Sequence, residues 1–107
     1  MIASGSLVVP KNVRNPFGSK GKPDHQAKVD ELAEKARGET GSGDTVLTER
    51  GIQGHPSSSR RPDVQIVGPD GKVRKIFEAE RYPNRKRNRD RETEYDSLGI
   101  DHETHGL

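Results

Sequence analysis

Two short apolar runs flanking a Gly68-Pro69-Asp70-Gly71 turn restrict this chain more than any other stretch of it. Residues 60–82 read RRPDVQIVGPDGKVRKIFEAERY, with Val64, Ile66 and Val67 in the first run and Val73, Ile76 and Phe77 in the second. Such runs around a Gly-Pro-Asp-Gly cluster predict a β-hairpin. Pairing Val67 with Lys72 places Asp63 opposite Ile76. Strand side chains alternate between faces, so Val64 and Ile66 share one face with Val73, Phe77 and Ala79. The other face then carries Asp63, Gln65, Arg74, Glu78 and Glu80, with Asp63 and Glu78 as diagonal neighbours. The acids Asp63, Glu78 and Glu80 repel one another there unless a cation lies between them, and the hard ions Mg²⁺ and Mn²⁺ suit carboxylate oxygens. The competing reading is an ordinary hairpin whose acids pair with nearby Arg and Lys. A bulge at Gly71 would slip the register by one and scatter the set.

A chain of 107 residues suffices for one small domain. Leu, Ile, Val and Phe number 20 of the 107, just under the fraction below which disorder becomes a concern. The net charge of +2 lacks the high-charge half of the disorder signature. A folded domain with a thin core is therefore expected, one to which a bound metal or partner would add stability. Cysteine is absent, which excludes disulfides, Cys-ligated zinc and a thiol nucleophile, and suits work in more than one redox compartment. No apolar run is long enough to span a bilayer. MIASGSLVVPKN at the start is no signal peptide, so export is expected to depend on something outside this chain.

Residues 1–22 read as a flexible leader or linker, with Leu7-Val8-Val9 as a short strand, and 23–107 as the domain. A helix is predicted after Pro23, capped by Asp24 and running to about Arg37, because Val29, Leu32, Ala33 and Ala36 fall on one stripe. Glu31 and Glu34 flank that stripe; solvent exposure is their ordinary fate. TVLTERGI at 45–52 reads as a strand with Glu49 near its end. The Gly- and Ser-rich loop at 51–61 carries His55, a candidate phosphate or metal contact or a residue with no special role. Pro83 is expected to open a second helix to about Leu98, ended by Gly99, with Tyr95, Leu98 and Ile100 packing back on the sheet. Between Arg81 and Arg91 lie six basic residues and one acid, Asp90, a candidate phosphate-binding surface or a merely solvated run. Arg85 and Arg89 are one helical turn apart, as are Arg87, Arg91 and Tyr95. The tail, with His102 and His105, lacks the H-E-x-x-H zinc spacing.

The order of parts is helix, strand with Glu49, Arg61-Pro62-Asp63-Val64, hairpin, then Glu78-Ala79-Glu80-Arg81. It resembles the PD-(D/E)xK nuclease superfamily, with its restriction-endonuclease fold. Pro62-Asp63 matches the first half of that motif and Glu78-Ala79-Glu80 the second, over about residues 24–98. Glu80 stands where the family usually has Lys; Arg81, Lys75 or a water held by Glu80 are candidates for that role. GKPDHQAKVDELAEKA and YPNRKRNRDRETEYDSLGIDHETH also resemble the C-terminal nuclease tips of bacterial polymorphic toxins of the Rhs and contact-dependent inhibition kind.

The resemblance implies an α/β (α+β) fold with a small restriction-endonuclease-like core, a central mixed sheet with a β-hairpin flanked by helices. It further implies a Mg²⁺- or Mn²⁺-dependent endonuclease cutting DNA rather than RNA, delivered on a larger secreted effector into the cytoplasm of a target bacterium and neutralised by a cognate immunity protein. Asp63 and Glu78 would hold the metal, and Glu80 would complete its shell or act as base. Glu49, or alternatively Glu31 or Glu34, would add a carboxylate. Arg81, Arg85, Arg87 and Arg89 would bind the phosphate backbone, and Arg60 and Arg61 would steady the scissile phosphate. Two rivals stand beside this expectation: a non-catalytic nucleic-acid-binding module using the basic helix, and a domain that docks a protein partner.

Overall fold

A computed structural model describes residues 23–107; the leader expected at 1–22, with its short strand, lies outside the described residues. The chain runs α1 (Pro23–Gly38), β1 (Thr45–Thr48), β2 (Val64–Val67), β3 (Val73–Glu80), α2 (Lys86–Ser97) and β4 (Asp101–Gly106). The four strands form one sheet in the order β1-β2-β3-β4. β1, β2 and β3 pair antiparallel in succession, and β4 lies parallel to β3. The fold is thus α+β, a mixed sheet built on the expected hairpin, with a helix against each face.

α1 forms because its apolar residues recur at helical spacing, and Val29, Leu32, Ala33 and Ala36 are all buried. They pack on Val64, Ile66, Phe77 and Ala79, with Val46 at the margin. α2 is built differently. In KRNRDRETEYDS only Asn88 and Tyr95 are buried, and the second core consists of Ile52, Ile76, Tyr95 and Ile100 with Val73 and Leu98 against them. Burying a large apolar side chain contributes about 1.5–3 kcal/mol. α1 has a full stripe of such groups and α2 one tyrosine, so polar contacts must do much of the work of holding α2 in place.

The end of α2 follows from Gly99. Its φ of 72° is left-handed, its N–H donates to the Asp96 carbonyl, and the Ile100 N–H donates to the Tyr95 carbonyl at 2.9 Å. Those two bonds satisfy the last turn, and Tyr95 and Ile100 meet in the same core. The helix itself begins at Lys86 rather than Pro83, because Arg85, at φ −64° and ψ 149°, is still extended.

Three expectations need correction. The hairpin pairs Val64 with Phe77 and Gln65 with Ile76, so Asp63 lies opposite Glu78 instead of Ile76. The cause is a bulge: Ile66 pairs with Lys75 while Val67 pairs with Val73, leaving Arg74 as the extra residue on β3. Arg74 therefore turns to the α1 side, bonding Asp44 and the Glu39 carbonyl, and Val73 joins the α2-side core, the reverse of the expected faces. Gly71, with φ 81°, only closes the turn, donating to the Gly68 carbonyl. Second, the strand expected at 45–52 stops at Thr48, because Glu49 adopts a left-handed φ of 54°. Third, the tail, to which the sequence pattern assigns no element, is structured. Asp101–Gly106 is strand β4, whose alternate side chains reach the helices on either side: His102 bonds Asp96 and Thr104 bonds Glu92 of α2, while Glu103 lies 3.8 Å from Lys35 of α1 and bonds Lys75 of β3.

Replacing Gly99 by Ala places a Cβ in the left-handed region, and the urea-unfolding free energy is expected to fall by about 1 kcal/mol.

Candidate functional site

The site is assembled where β2 enters the sheet. One residue before the β2 strand, Asp63 donates its N–H to Glu78 Oε1 at 3.2 Å, and its own Oδ2 accepts the Ala79 N–H at 2.8 Å. Each acid is thus fixed by the backbone of the other strand's segment. From Asp63 outward opens a cleft of about 230 Å³ lined by His25, Glu49, Arg61 and Asp63. His25, in the first turn of α1, brings Nε2 to 3.6 Å from Asp63 Oδ2.

Glu49 owes its place in the cleft to a constrained backbone. A left-handed φ is costly for a residue with a side chain, and such strain persists only where the surroundings over-determine it. Here the Glu49 N–H donates to the Asp63 carbonyl at 3.1 Å and its carbonyl accepts from Arg61 Nη2 at 2.8 Å. The loop behind it is pinned by the buried side chain of Gln65, which accepts from the Gln53 N–H and donates to the carbonyls of Arg50 and Gly51.

Inward of Asp63 lies a buried polar network. Glu78 is only 4% exposed; its Oε2 accepts the Tyr95 hydroxyl at 2.6 Å and lies 3.7 Å from Arg91 Nε. Arg91 Nη1 donates to Glu80 Oε2 at 2.9 Å, and Asn88 donates to Glu80 Oε1 and to the Tyr82 carbonyl. Two Arg91 nitrogens, Nε and Nη2, are buried without a hydrogen bond. Burial first, and then the charge of Asp63, push Glu78 up to about 7, against the opposing pull of Arg91, the Tyr95 hydroxyl and the Asp63 N–H. Burial and Glu78 also raise the Tyr95 phenol. Burial works against the Arg91 charge, but Glu78 and Glu80 outweigh it and hold the guanidinium above its ordinary range.

Of the residues expected in the site, Asp63 and Glu78 come together, and Glu49 and Arg61 join Asp63 in the cleft. Glu80 is engaged by Arg91 and Asn88 on the α2 side. Arg81 pairs with Asp24 at 2.6 Å, depressing that carboxyl. Arg60 is bound to Glu94, which also takes the Ser58 hydroxyl; both hold the Glu94 carboxyl below its usual range. Glu31 and Glu34 pair along α1 with Lys28 and Arg37, both acids exposed. His55 contributes backbone turns in its loop. Arg85 lies over the Tyr82 ring, Arg89 donates to the Asn84 carbonyl, and Arg87 is exposed. His25, Asn88, Arg91 and Tyr95 are members that sequence reasoning missed. Arg91 and Tyr95 were placed one turn apart, but nothing in an all-polar helix marks which side faces inward.

Divalent-metal chemistry can be tested against this donor set. Mg²⁺ is commonly held by one or two carboxylates with waters and substrate phosphates completing its shell. Asp63 offers such an ion a carboxylate at the cleft, with Glu78 as the second carboxylate behind it, buried and accepting from the Asp63 N–H and the Tyr95 hydroxyl. Glu80, bound by Asn88 and Arg91, lies on the α2 side and does not line the cleft. Among the described residues no group of three or more His, Asp or Glu forms a dedicated metal cage.

Two outcomes follow for stability. Glu78 takes up a proton more readily folded than unfolded, where its ordinary value is 4.5. The folded state thus binds more protons between those values, and stability must fall as pH rises from about 4.5 to about 7. Urea titrations at pH 5 and pH 8 are expected to show wild type losing about 3 kcal/mol relative to Glu78→Gln over that interval. Arg91→Met leaves two inward carboxylates without their cation and is expected to cost about 3–5 kcal/mol at pH 8.

Compared with known proteins, the chain matches no family model, no curated protein and no solved structure, so the reading of this site rests on its own geometry.

Proposed function

We propose that this domain is a metal-dependent endonuclease, cutting DNA in preference to RNA. The observation that carries the reading is the Asp63–Glu78 pair: two carboxylates held by reciprocal backbone hydrogen bonds, Asp63 lining a cleft and Glu78 buried directly behind it. Burial, and then the neighbouring charge of Asp63, raise Glu78 at a cost to the fold, an arrangement characteristic of functional sites. Asp63, with Glu78 behind it, would hold Mg²⁺ or Mn²⁺, which when bound would supply polarisation of the scissile phosphate and a lowered pKa for a water. Glu49 and His25 face the same cleft, placed to accept and hold protons at the reacting phosphate. Arg61, anchored on the Glu49 carbonyl, supplies a cation for a non-bridging oxygen. Arg91, Tyr95 and Asn88 act behind the cleft by holding Glu78 and Glu80 in position.

The likeness to polymorphic-toxin nuclease tips extends the reading: delivery on a larger effector, action in a target bacterium's cytoplasm and neutralisation by an immunity protein. Among the described residues no helix is long and apolar enough to cross a membrane.

The lining of the cleft favours one second reading. His25, Glu49 and Arg61 together make an acid, a base and a phosphate-binding cation, enough for metal-free cleavage of RNA. Chelation separates the two. Plasmid DNA, single-stranded DNA and total RNA are incubated separately with the domain, with Mg²⁺ or Mn²⁺ and with EDTA. Metal-dependent DNA cutting is expected, falling at least about 100-fold in Asp63→Asn and in Glu78→Gln. RNA cutting that survives EDTA and is lost in His25→Ala would replace the first reading by the second.

A further inference from the structure

Just past the end of β3 lies a feature that neither phosphate chemistry nor the core requires. Tyr82 is 52% exposed, and among the described residues only Leu107 is a comparably exposed large hydrophobic. Its ring is covered by the Arg85 guanidinium, with Cζ 4.3 Å from the ring centroid. An exposed tyrosine that packs on no core loses ordering entropy for little burial, and holding a flexible arginine over it costs more. Planar π-faces of this kind, an aromatic ring with a guanidinium, are what unpaired nucleobases stack on.

The position of the pair ties it to the site. Tyr82 follows Glu80 by two residues, and Asn88 holds both, donating to the Tyr82 carbonyl at 2.6 Å and to Glu80 at 3.2 Å. Between them Arg81 pairs with Asp24, the neighbour of the cleft residue His25. The loop is therefore stapled to both α1 and α2. Arg87 and Arg89 are exposed beyond it, with Lys86 paired to Asp90 beside them, cations for the phosphates on either side of a bound base.

We infer that Tyr82 and Arg85 form a base-stacking platform, and that the substrate presented to the cleft is single-stranded nucleic acid. A duplex keeps its bases stacked on one another and offers this platform nothing. The inference rests on the nuclease reading for its purpose, but its test does not depend on cleavage.

Binding of labelled oligothymidylate, an abasic oligonucleotide of the same length and a blunt duplex is measured by anisotropy in EDTA. Electrophoresis afterwards verifies that each probe is intact. Tyr82→Ala is expected to weaken oligothymidylate binding about tenfold while leaving the abasic and duplex probes unchanged; Tyr82→Phe restores the affinity and Tyr82→Leu does not. The chain has two tyrosines and no tryptophan, and Tyr95 is buried. Tyrosine emission quenched by oligothymidylate in wild type, but not in Tyr82→Phe with only Tyr95 left, supports direct stacking. Equal losses on all three probes reduce Tyr82 to a structural or charge-positioning residue and overturn the inference; so does no loss on any, which leaves the exposed pair to a protein partner. Should the Tyr82-dependent preference hold while added Mg²⁺ or Mn²⁺ produces no cutting, the platform stands and the nuclease reading falls.

Discussion

Everything in the neighbourhood of the cleft is arranged by the reciprocal bonding of Asp63 and Glu78. A backbone N–H of the first segment goes to the carboxylate of the second, and a backbone N–H of the second goes to the carboxylate of the first. Charge-assisted bonds of this sort are roughly twice as strong as neutral ones, and here they also fix where β2 begins. Burial, and then the Asp63 charge these bonds hold close, make Glu78 resist ionisation. Arg91 and Tyr95 offset that repulsion from behind. The same contacts fasten α2 to the sheet, since the helix has little apolar surface of its own. Site and scaffold are in this sense one network, and Glu78 belongs to both.

The other polar clusters serve stability. Lys75 lies 5.0 Å over the Phe77 ring and binds both Glu39 and Glu103. Lys75 and then His105 bring Glu103 down to about 2, which ties the end of α1 to the edge strand β4. Solvent reaches a third of Glu103, so the cluster is a modest brace. It lies on the α1 face, where apolar packing already dominates, and shares no residue with the cleft.

How legible all this was in the sequence depended on how local the cause was. The stripe of Val29, Leu32, Ala33 and Ala36 fixed α1, the Gly-Pro-Asp-Gly cluster fixed the hairpin, and Gly99 with Ile100 fixed the end of α2; each is a short-range signal. The proximity of Asp63 and Glu78 was also readable, although through the wrong register. Two residues of slip preserve the faces of a strand, so the acids stayed together while their partners were misassigned. The Arg74 bulge was not readable, because it is set by the Glu39 and Asp44 acceptors in the α1–β1 loop. Strand β4 was missed for a related reason: DHETHG has no strand-like apolar alternation, and it joins the sheet through charged and polar partners on both helices. His25 was hidden behind Asp24, and its place in the cleft follows only from how α1 lies across the end of β2.

β3 alone sends its side chains into both cores. Phe77 and Ala79 pack beneath α1, while Ile76 packs with α2 and Glu78 and Glu80 bind it. Sliding this strand by a single position would drive two carboxylates into an oily layer and set a phenyl ring against a guanidinium, wrecking both sides simultaneously. Misaligned versions of the sheet are thus heavily penalised from the moment either helix docks, and the strand acts as its own proofreader during assembly.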